Sequence, residues 1–403
     1  MTRKIVRDLV AQRVLLVEDG NHGEYRPRPD EFVDVGVPFI RAADMSSGTI
    51  NFDSAGKINT IARNRIRKGI GNPGDVILSH KGTVGRVAVA PMDSPNFVCS
   101  PQTTFWRSLD LSVLNQRFLR YAMLSPSFAR QLEVLKGQTD MAPYVSLTDQ
   151  RSIELELPPI EVQRAVAKVL GALDDKIAAN DKAFKISRDL AHSNYVRATR
   201  AGDRLTIREV AQLVARGVTP KYVESDGVTI LNQKCVRNQW INLNPSRMTK
   251  ESSIRSDKLL HRYDVLVNST GAGTLGRVAR WTLDIRATAD SHVTIVRFDP
   301  TLIDPVCAGF GLLQIEKEVE GLAEGSTGQT ELRRDLLAGL EIAVPDKAIQ
   351  KSIGAELTAL DELALGLQQE SDILAATRDE ILPLLMSGKI RVREAEKVVE
   401  GIV

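Results

Sequence analysis

Residues 271–276 have the glycine spacing G-x-G-x-x-G of loops that bind dinucleotides. Such a loop holds a pyrophosphate only when a helix begins directly after it. The residues that follow, 277–281, have the pattern of a strand, and the related loop at 81–85 lacks the first glycine. The spacing therefore favours a structural hairpin whose glycines adopt positive φ angles. An enzyme that uses this loop for a nucleotide or a cofactor is the alternative.

Residue types that serve other chemistries are present without the spacing that those chemistries need. The chain has no GxxxxGK[ST] loop for a nucleotide and no NPP-aromatic sequence of the kind that amino-methyltransferases use on a flipped base. The histidines also lack the spacing of metal ligands; they are His22, His80, His192, His261 and His292. We therefore predict no catalytic, metal-ligating or cofactor-binding residue in the chain.

Polar side chains that could contact DNA are concentrated around the loop at 271–276 and the related loop at 81–86. Arginine and lysine contact phosphates and guanine, whereas asparagine and glutamine contact adenine. A solvated basic surface would explain one such group, but its recurrence in both halves of the chain favours DNA contact. The candidates are Arg41, Arg63, Arg65, Lys81, Thr83, Arg86, Gln138, Thr139, Tyr144, Asn232, Gln233, Lys234, Arg237, Asn268, Thr270, Arg277, Thr327, Gln329 and Thr330.

The two halves of the chain are copies of one module. The sequence GTVGRV at 82–87 matches GTLGRV at 273–278 with an offset of 191 (273 − 82), and GVPFI at 36–40 matches GVTIL at 227–231 with the same offset. DVIL at 75–78 matches DVLV at 264–267 with an offset of 189 (264 − 75), so the second copy has two extra residues before its glycine loop. Solenoids need at least three repeats, so two long copies predict two similar domains.

Each copy changes from a mixed, strand-rich part to a helical part. Apolar and small residues alternate at spacings of four and three from 166 to 194 and from 353 to 385, which predicts a coiled coil. A helix of about 40 residues is roughly 60 Å long and would act as a spacer between two lobes. Pro383 should kink or stop the second helix, and Gly388 is a plausible cap after it.

Composition sets broad limits on the function. The 403 residues are 43% hydrophobic, which is enough for two or three packed domains. No apolar run reaches the roughly 18 residues that span a bilayer, and the N-terminus does not resemble a signal peptide. The three cysteines are odd in number and far apart, which fits a reducing cytoplasm. The net charge of +2 neither excludes nor supports a nucleic-acid partner.

Several segments resemble the specificity subunits of type I restriction–modification systems. LPPIEVQR at 157–164, continuing through LDDKI at 173–177, resembles their central conserved region, and LPLLMSGKI at 382–390 resembles their C-terminal conserved region. GVTP at 217–220 resembles the opening of a target-recognition domain. The segments at 137–139 and 325–327 resemble the polar loop before each conserved helix. The resemblance covers nearly the whole chain, in family order.

The resemblance implies an α/β fold of two similar α+β lobes joined by two long antiparallel coiled-coil helices. Its parts would be target-recognition domains at 1–157 and 202–344, conserved helices at 158–201 and 345–390, and a tail at 391–403. Each lobe would recognise one half of an asymmetric, bipartite site in double-stranded DNA. A specificity subunit of a related system, in which methyltransferase and nuclease are fused, is an alternative.

The resemblance also implies protein partners. The helices would dock two DNA methyltransferase (modification) subunits, and restriction–translocase subunits would join through the complex. S-adenosylmethionine, ATP and magnesium are expected on those partners only. The docking candidates are Gln163, Asp174, Asp175, Lys176, Gln350, Asp361 and Lys389.

Overall fold

The chain forms two compact units, in a computed structural model that describes residues 2–20, 23–46, 48–137, 143–271, 273–322 and 331–402. The first unit comprises Met1–Ala179 with Glu370–Val403, and the second comprises Asn180–Gln369. Each unit therefore contains one copy of the repeat and one half of each long helix. The globular parts at 2–157 and 202–344 are called the first and second lobes below.

The first lobe alternates short strands with short helices. Its elements are β1 (Thr2–Ile5), α1 (Val6–Ala11), β2 (Leu15–Asp19), β3 (Phe32–Val33), β4 (Val37–Ile40), β5 (Met45–Ser46), β6 (Thr49–Ile50), β7 (Gly56–Ile58), α2 (Thr60–Arg65), β8 (Ile70–Gly71), β9 (Val76–Ser79), β10 (Val87–Val89), β11 (Phe97–Cys99), β12 (Thr103–Ser108), α3 (Gln116–Leu124), α4 (Pro126–Lys136), α5 (Leu147–Ser152) and β13 (Glu154–Leu157), followed by the first long helix α6 (Ile160–Ala198).

Except that its described residues contain no counterpart of α2 or β8, the second lobe repeats this order of elements. They are β14 (Asp203–Thr206), α7 (Ile207–Val210), β15 (Ala211–Arg216), β16 (Tyr222–Val223), β17 (Val228–Leu231), β18 (Val236–Arg237), β19 (Trp240–Ile241), β20 (Arg247–Thr249), β21 (Val265–Asn268), β22 (Val278–Arg280), β23 (Ala287–Ala289), β24 (Val293–Phe298), α8 (Pro305–Gln314), α9 (Glu316–Gly321), α10 (Arg334–Gly339) and β25 (Glu341–Val344), followed by the second long helix α11 (Lys347–Met386) and by α12 (Val392–Glu400).

The sheets of the two lobes share a core strand order. The main sheet of the first lobe has the order β2-β12-β9-β10-β6-β5, and that of the second has β15-β24-β21-β22. In both main sheets, the strand after the first short helix (β2 or β15) pairs with the last strand of the sheet in chain order (β12 or β24). That strand pairs in turn with the hairpin β9-β10 or β21-β22. The second sheets have the orders β3-β7-β4-β11-β8 and β16-β20-β17-β23. The internal repeat and the mixed α/β class predicted from the sequence are confirmed.

Local sequence explains where several of these elements begin and end. All four residues of β9 and all four of β21 are buried, as expected for central strands rich in branched apolar residues. Helix α4 begins with Pro126 after Ser125, whose hydroxyl accepts a hydrogen bond from the Phe128 amide. A capping box between Ser146 and Asp149 starts α5.

The long helices α6 and α11 are antiparallel within each unit. In the first unit, Arg378 Nη1 donates to Asp174 Oδ1 over 2.9 Å and Lys176 Nζ lies 3.3 Å from Glu370 Oε1. In the second, the Ser187 hydroxyl donates to the Leu360 carbonyl over 2.8 Å. The residues predicted as the coiled-coil seam are buried or half-buried along both helices, including Leu170, Leu173, Ala191, Leu357, Ala364 and Leu374. The seam prediction is confirmed.

The end of α11 differs in part from the prediction. Pro383 does not stop the helix, because α11 continues to Met386. Gly388 follows with φ +71°, and the amides of Gly388 and Lys389 donate to the carbonyls of Leu385 and Leu384. This is the double hydrogen bond of a Schellman cap, which needs a left-handed residue at the position of Gly388. Among the described residues, no helix is long and apolar enough to cross a bilayer.

Candidate nucleic-acid interface

Both glycine loops connect the two strands of an antiparallel hairpin. The loop at 80–86 joins β9 to β10, and Gly82 and Gly85 have φ angles of +76° and +99°. The loop at 269–277 joins β21 to β22, with Gly276 at +83°. A Cβ atom on Gly276 would lie 2.5 Å from the Cα atom of Glu320, so the backbones approach too closely for any side chain. A strand follows each loop, so the structural hairpin is confirmed and the helix that a dinucleotide site requires is absent there.

The segment before α5 pairs with the first glycine loop. Lys81 and Tyr144 form a backbone bridge, and the Gly82 amide donates to the Pro143 carbonyl over 2.9 Å. The Lys81 ammonium lies 5.8 Å from the centre of the Tyr144 ring, within the range of a cation–π contact. Lys81 and Thr83 are exposed. The structure therefore brings three predicted DNA contacts of the first lobe, Lys81, Thr83 and Tyr144, to one surface.

The second glycine loop is held by predicted residues of its own lobe. Asn268 Nδ2 donates to the Gln233 carbonyl over 2.9 Å and to the Thr274 carbonyl over 3.1 Å. Asn268 is fully buried, so its side chain holds the loop from the interior of the lobe. Thr270 is half-buried, and its hydroxyl donates to Gln233 Oε1 over 3.3 Å and lies 2.8 Å from Nδ1 of His292. Thr270 and Gln233 thus meet beside the glycine loop.

Four of the predicted arginines make hydrogen bonds within the chain. Arg65 forms a paired hydrogen bond to Glu31 with distances of 2.7 and 2.6 Å, and this contact lowers the pKa of Glu31 to about 2. Arg86 Nη1 donates to the carbonyls at residues 42 and 45 over 2.9 and 3.2 Å. Arg41 pairs with Asp44, and Arg277 Nη2 donates to the Gly273 carbonyl over 2.7 Å. These guanidinium groups stabilise loops, and Arg41 and Arg86 also retain solvent exposure.

The remaining DNA candidates are distributed as follows. Lys234 and Arg237 are exposed near the second glycine loop, and Arg63 is half-buried on α2. Asn232 closes a turn, since its Nδ2 donates to the Pro245 carbonyl over 2.6 Å and its Oδ1 accepts from the Lys234 amide. Five candidates lie outside the described residues, namely Gln138, Thr139, Thr327, Gln329 and Thr330.

Two buried ion pairs at equivalent places were not predicted. Asp75, at the start of β9, binds Arg107 of β12 through two hydrogen bonds of 2.7 and 2.6 Å. Asp264, at the start of β21, binds Arg297 of β24 in the same way, over 2.8 and 2.6 Å. The Asp-Val sequence recurs in both copies and could have drawn attention to Asp75 and Asp264. Their arginine partners lie about 32 positions later, and no local pattern in the sequence indicates the pairing. These pairs fix the hairpin that carries each glycine loop.

The two predicted glutamines on the helices connect each helix to its lobe. Gln163 is 1% exposed; its amide donates to the carbonyls of Val113 and Pro158, and its oxygen accepts from the Asn115 amide. Gln350 repeats this arrangement with the Pro345 carbonyl and the Asp304 amide. Both side chains are therefore buried and hydrogen-bonded within the chain.

Asp174 and Asp361 also point inward. Asp174 accepts hydrogen bonds from Arg120, Tyr121 and Arg378 at 2.7, 2.5 and 2.9 Å. Asp361 accepts from Arg280 Nη2 over 2.6 Å, and the Arg280 guanidinium lies 3.8 Å from the centre of the Phe310 ring. Buried pairs of this kind fix geometry more than they add stability. They fix the orientation of each helix against the lobe in its own unit.

Other helix residues form an exposed set that repeats between α6 and α11. Asp175 is exposed and pairs with Arg117, and its counterpart Glu362 pairs with Arg262. Lys389 is exposed beyond the end of α11, and Lys176 reaches Glu370. Large apolar residues are also exposed at matched positions, 187 apart (373 − 186), at Val162, Ile186, Ile349 and Ile373. These four apolar residues lie outside the predicted coiled-coil seam. Their exposure in the structure identifies a surface that the sequence analysis did not predict.

Within the described ranges, no group of three or more acidic, histidine or cysteine side chains could hold a metal ion. The three cysteines are buried and free, and burial raises the pKa of the Cys235 thiol to about 11. A thiol in that state is a poor nucleophile. Among the described residues, the features suited to binding a partner are therefore the two hairpin loops with their polar side chains and the exposed surface of the long helices.

Comparison with known proteins supports a single family. Residues 21–184 match the family model described as the type I restriction modification DNA specificity domain. The chain is 20% identical over 89% of its length to a Methanocaldococcus jannaschii protein named as the MjaX specificity subunit of a type I restriction enzyme, and covers 88% of it. It is 24% identical over 80% of its length to the MjaVIII specificity subunit of the same organism, covering 77% of that protein.

A solved structure shares the fold. The type I restriction–modification S subunit from M. genitalium matches with a TM-score of 0.59 at 14% identity, covering 95% of each chain. Residues 21–184 thus resemble the DNA specificity domain of type I restriction–modification systems, and over most of its length the chain is similar in sequence and fold to specificity subunits of those systems.

Proposed function

We propose that this chain is the DNA-binding specificity subunit of a type I restriction–modification complex, acts in the cytoplasm and has no catalytic activity of its own. One observation carries the proposal. Two lobes with the same core strand order present hairpin loops that share the sequence GT-x-GRV, whereas the polar residues just before it differ between the lobes, at 79–81 and at 268–270. Residues that support the loop should be the same in both lobes, whereas residues that discriminate bases should differ when the two half-sites differ.

The loop surfaces of the two lobes differ in the way that this function requires. The first lobe presents Lys81, Thr83 and Tyr144 together, and the second presents Thr270 and Gln233 with Lys234 nearby. Cationic and aromatic groups favour phosphate and guanine contact, while a glutamine amide matches the adenine edge. We infer an asymmetric, bipartite target in which each lobe recognises one half-site and a fixed number of nonspecific base pairs separates them.

The exposed residues that recur on α6 and α11 form two equivalent docking surfaces in this proposal. Val162 matches Ile349, Ile186 matches Ile373, and Asp175 matches Glu362, each 187 positions apart (349 − 162). Exposed apolar side chains rimmed by charged groups are typical of protein interfaces. Two copies of one methyltransferase subunit would bind these two surfaces. Those subunits would bind S-adenosylmethionine, and the restriction–translocase subunits would supply the ATP and magnesium chemistry.

Genome-wide methylation mapping of a host that carries the complete system tests the proposal. We expect one motif with two different half-sites and a constant gap. A single continuous palindrome would contradict the two-lobe proposal. A second measurement addresses catalysis: the purified chain alone should transfer no labelled methyl group from S-adenosylmethionine to DNA, and transfer by the chain alone would show that it is an enzyme.

A further inference from the structure

The second unit contains a cavity of about 580 Å³ between α6 and the globular lobe. Residues of α6, β19, β22, α8 and α11 form its wall. Three aromatic residues line it together with two arginines, namely Phe184, Trp240, Phe310, Arg188 and Arg280. None of the described residues that were predicted to contact DNA lines this cavity, so it is separate from the candidate nucleic-acid interface.

The first unit has a filled ion-pair cluster at the equivalent place. Asp174 and Asp361 are counterparts on the two long helices, 187 positions apart (361 − 174). In the first unit, three side chains donate hydrogen bonds to the carboxylate of Asp174, namely Arg120, Tyr121 and Arg378. These three side chains occupy the space around the carboxylate and satisfy both of its oxygens.

The counterparts of the three donors in the second unit cannot donate. Gly309 and Phe310 follow Arg120 and Tyr121 by 189 positions (309 − 120). This is the offset between Asn115 and Asp304 (304 − 115), whose amides make the same contact to the glutamines that connect each long helix to its lobe. Ala191 precedes Arg378 by 187 positions (378 − 191) and lines the cavity. Smaller or apolar residues therefore leave a space beside Asp361.

Asp361 is bound instead by Arg280 of β22, and this pair is incompletely satisfied. Arg280 Nη2 donates to Asp361 Oδ1 over 2.6 Å, and the guanidinium lies 3.8 Å from the centre of the Phe310 ring. Within the ranges that the structure describes, Arg280 Nε and Nη1 and Asp361 Oδ2 are buried without a hydrogen-bond partner, and the Arg280 side chain is 6% exposed. A buried N–H group without an acceptor costs free energy, so an acceptor that reached Arg280 through the cavity would stabilise it.

Arg188 is the second arginine of the cavity, and its hydrogen bond goes to a neutral acceptor. The guanidinium lies 5.6 and 5.7 Å from the ring centres of Phe184 and Trp240, and Nη2 donates to the Asn238 carbonyl over 2.8 Å. Burial and the positive charge of Arg280 lower the pKa of Arg188. An anion close to both guanidinium groups would therefore stabilise the charged form of Arg188.

The charges of the wall favour a carboxylate among the possible anions. The described residues of the wall include three cations and two carboxylates, namely Lys185, Arg188, Arg280, Asp189 and Asp361. Planar guanidinium groups bind carboxylates through strong, charge-assisted hydrogen bonds. The aromatic rings of the wall can contact an apolar stem at the same time. The cavity is therefore suited to a carboxylate that is carried on a short apolar chain.

The cavity lies next to the docking surface proposed on α6. Lys185 and Asp189 line the cavity and are exposed. Each of them directly precedes an exposed apolar residue of α6, namely Ile186 and Leu190. A partner that covers these apolar residues would therefore also cover the cavity, and one of its side chains could enter.

We propose that the cavity binds a carboxylate of the methyltransferase subunit that docks on α6, and that Arg188 and Arg280 hold this carboxylate. The inference rests on the proposed function, because it requires a partner on the surface around Ile186. The carboxylate belongs to a glutamate or aspartate side chain, or to the chain end, of that subunit. On α11, Arg378 fills the equivalent place, and the counterparts of Lys185 and Arg188 are Asp372 and Ala375. The carboxylate contact is thus specific to the α6 surface.

The test uses the full chain assembled with the methyltransferase subunits of its host. In the proposed function, Ile373→Glu leaves one subunit on α6 and Ile186→Glu leaves one on α11. With Ile373→Glu present, Arg188→Gln should weaken the binding of the remaining subunit at least about tenfold, because one member of a buried charge pair is lost. With Ile186→Glu present, Arg188→Gln should leave the binding unchanged. Titration of each variant chain with the purified methyltransferase subunit gives the dissociation constants.

Two further variants separate the cavity from the general charge of α6. Arg197→Gln removes the same charge from an exposed position of α6 outside the cavity and should not change binding. Ala191→Arg gives α6 the residue that α11 has at position 378. It should fill the cavity, supply a donor to Asp361 and weaken binding to α6, while the melting temperature is maintained or rises. This variant also supplies the measurement if Arg188→Gln does not fold.

A zero-length cross-link identifies the carboxylate directly. A carbodiimide joins a carboxylate to a neighbouring amine, and Lys185 is the amine at the cavity. We expect mass spectrometry of the complex to find Lys185 linked to one acidic residue or chain end of the methyltransferase subunit. Ala191→Arg should abolish this link.

The possible failures are distinguishable. Unchanged binding by both Arg188→Gln and Ala191→Arg, with Ile373→Glu present, would overturn the inference and leave the docking surfaces intact. Equal weakening with Ile186→Glu and with Ile373→Glu would also overturn it, because the effect would not be specific to α6. A chain that still binds two subunits with either isoleucine variant would instead contradict docking on these surfaces, and the inference would fail with that part of the proposed function.

Discussion

Cationic residues near the glycine loops have two different roles that their sequence does not distinguish. Lys81 is exposed and its ammonium lies over the Tyr144 ring, whereas the guanidinium of Arg86 donates to two backbone carbonyls. A phosphate contact releases counterions, and a bond inside the loop does not. The salt dependence of DNA binding therefore separates the two roles.

Lys81→Ala should weaken binding to specific and nonspecific DNA alike and reduce the salt slope by about one unit. Arg86→Ala should lower the melting temperature of the first lobe, because two buried carbonyls lose their donor, and should leave the slope of the folded protein nearly unchanged. Arg277→Ala is the equivalent variant of the second lobe, where the bond is to Gly273. Titration against salt and thermal unfolding measure both effects. A slope reduced by Arg86→Ala without loss of stability would assign that arginine to phosphate.

The Glu31–Arg65 pair gives the first lobe a defined response to acid. Its contacts to Arg65 and to the Arg28 amide lower the pKa of Glu31 from 4.5 to about 2. A carboxylate with a depressed pKa stabilises the folded state above its unfolded value and loses that contribution as pH falls. The first lobe should therefore lose stability as the pH drops from about 4.5 towards about 2.

Glu31→Gln should be less stable near neutral pH and should show a flatter decline across that acidic range. Thermal unfolding as a function of pH measures this difference. Glu161→Gln is the control, since the pair of Glu161 with Arg164 is solvent-exposed and contributes little. Identical pH profiles for Glu31→Gln and the unmodified chain would show that the pair does not control acid stability.

At the scale of the elements, the long helices carry one face inward and a second, repeated face outward. Ile186 on α6 is 56% exposed and Ile373 on α11 is 58% exposed, and they are equivalent in the two copies. An apolar residue left in water gains free energy when a partner covers it. These two positions are the strongest candidates for contact with methyltransferase subunits.

Ile373→Glu and Ile186→Glu should each reduce the number of methyltransferase subunits that co-purify with the chain from two to one, and the double variant should retain neither. Each lobe should stay folded, because the side chains lie outside the buried cores. Mass measurement of the assembled complex gives the stoichiometry. Ile61→Glu, an exposed apolar residue on α2, is the control variant. Full assembly of the double variant would exclude this face as the docking surface.

Patterns that repeat along the chain were predictable, and long-range pairings were not. The hairpins around both glycine loops and the helix seam followed from local spacing, as the buried strands β9 and β21 and the buried seam residue Leu173 confirm. Gln163 could be placed on a helix from sequence, but its burial depends on the segment at 113–115, which only the folded chain brings near. Pro383 was expected to kink or stop α11, and it does not stop it, because the helix continues for three residues after it.

At the scale of the whole molecule, duplication explains why one chain has two of nearly every supporting contact. The buried pairs Asp75–Arg107 and Asp264–Arg297 recur, as do the glutamine contacts at the start of each long helix. Within the glycine loops, Thr83 and Arg86 recur as Thr274 and Arg277, whereas Lys81 is replaced by Thr270. In the proposed function, a duplicated support with different residues beside each loop would allow one lobe to change its target without affecting the other.

This independence makes the exchange of one lobe the most direct test of the whole molecule. Replacing residues 1–155 with the corresponding lobe of a relative should change one half of the methylation motif and leave the other half and the gap as they were. The join falls before α6, which begins at Ile160, so the exchange should fold if the new lobe reproduces the contacts made by Gln163 and Asp174 and the apolar packing against α6, α11 and α12. Methylation mapping of the hybrid system gives the result, with the reciprocal exchange of residues 202–344 as its counterpart. A change in both half-sites after a single exchange would mean that the lobes recognise DNA jointly, and that the repeat does not divide the target between them.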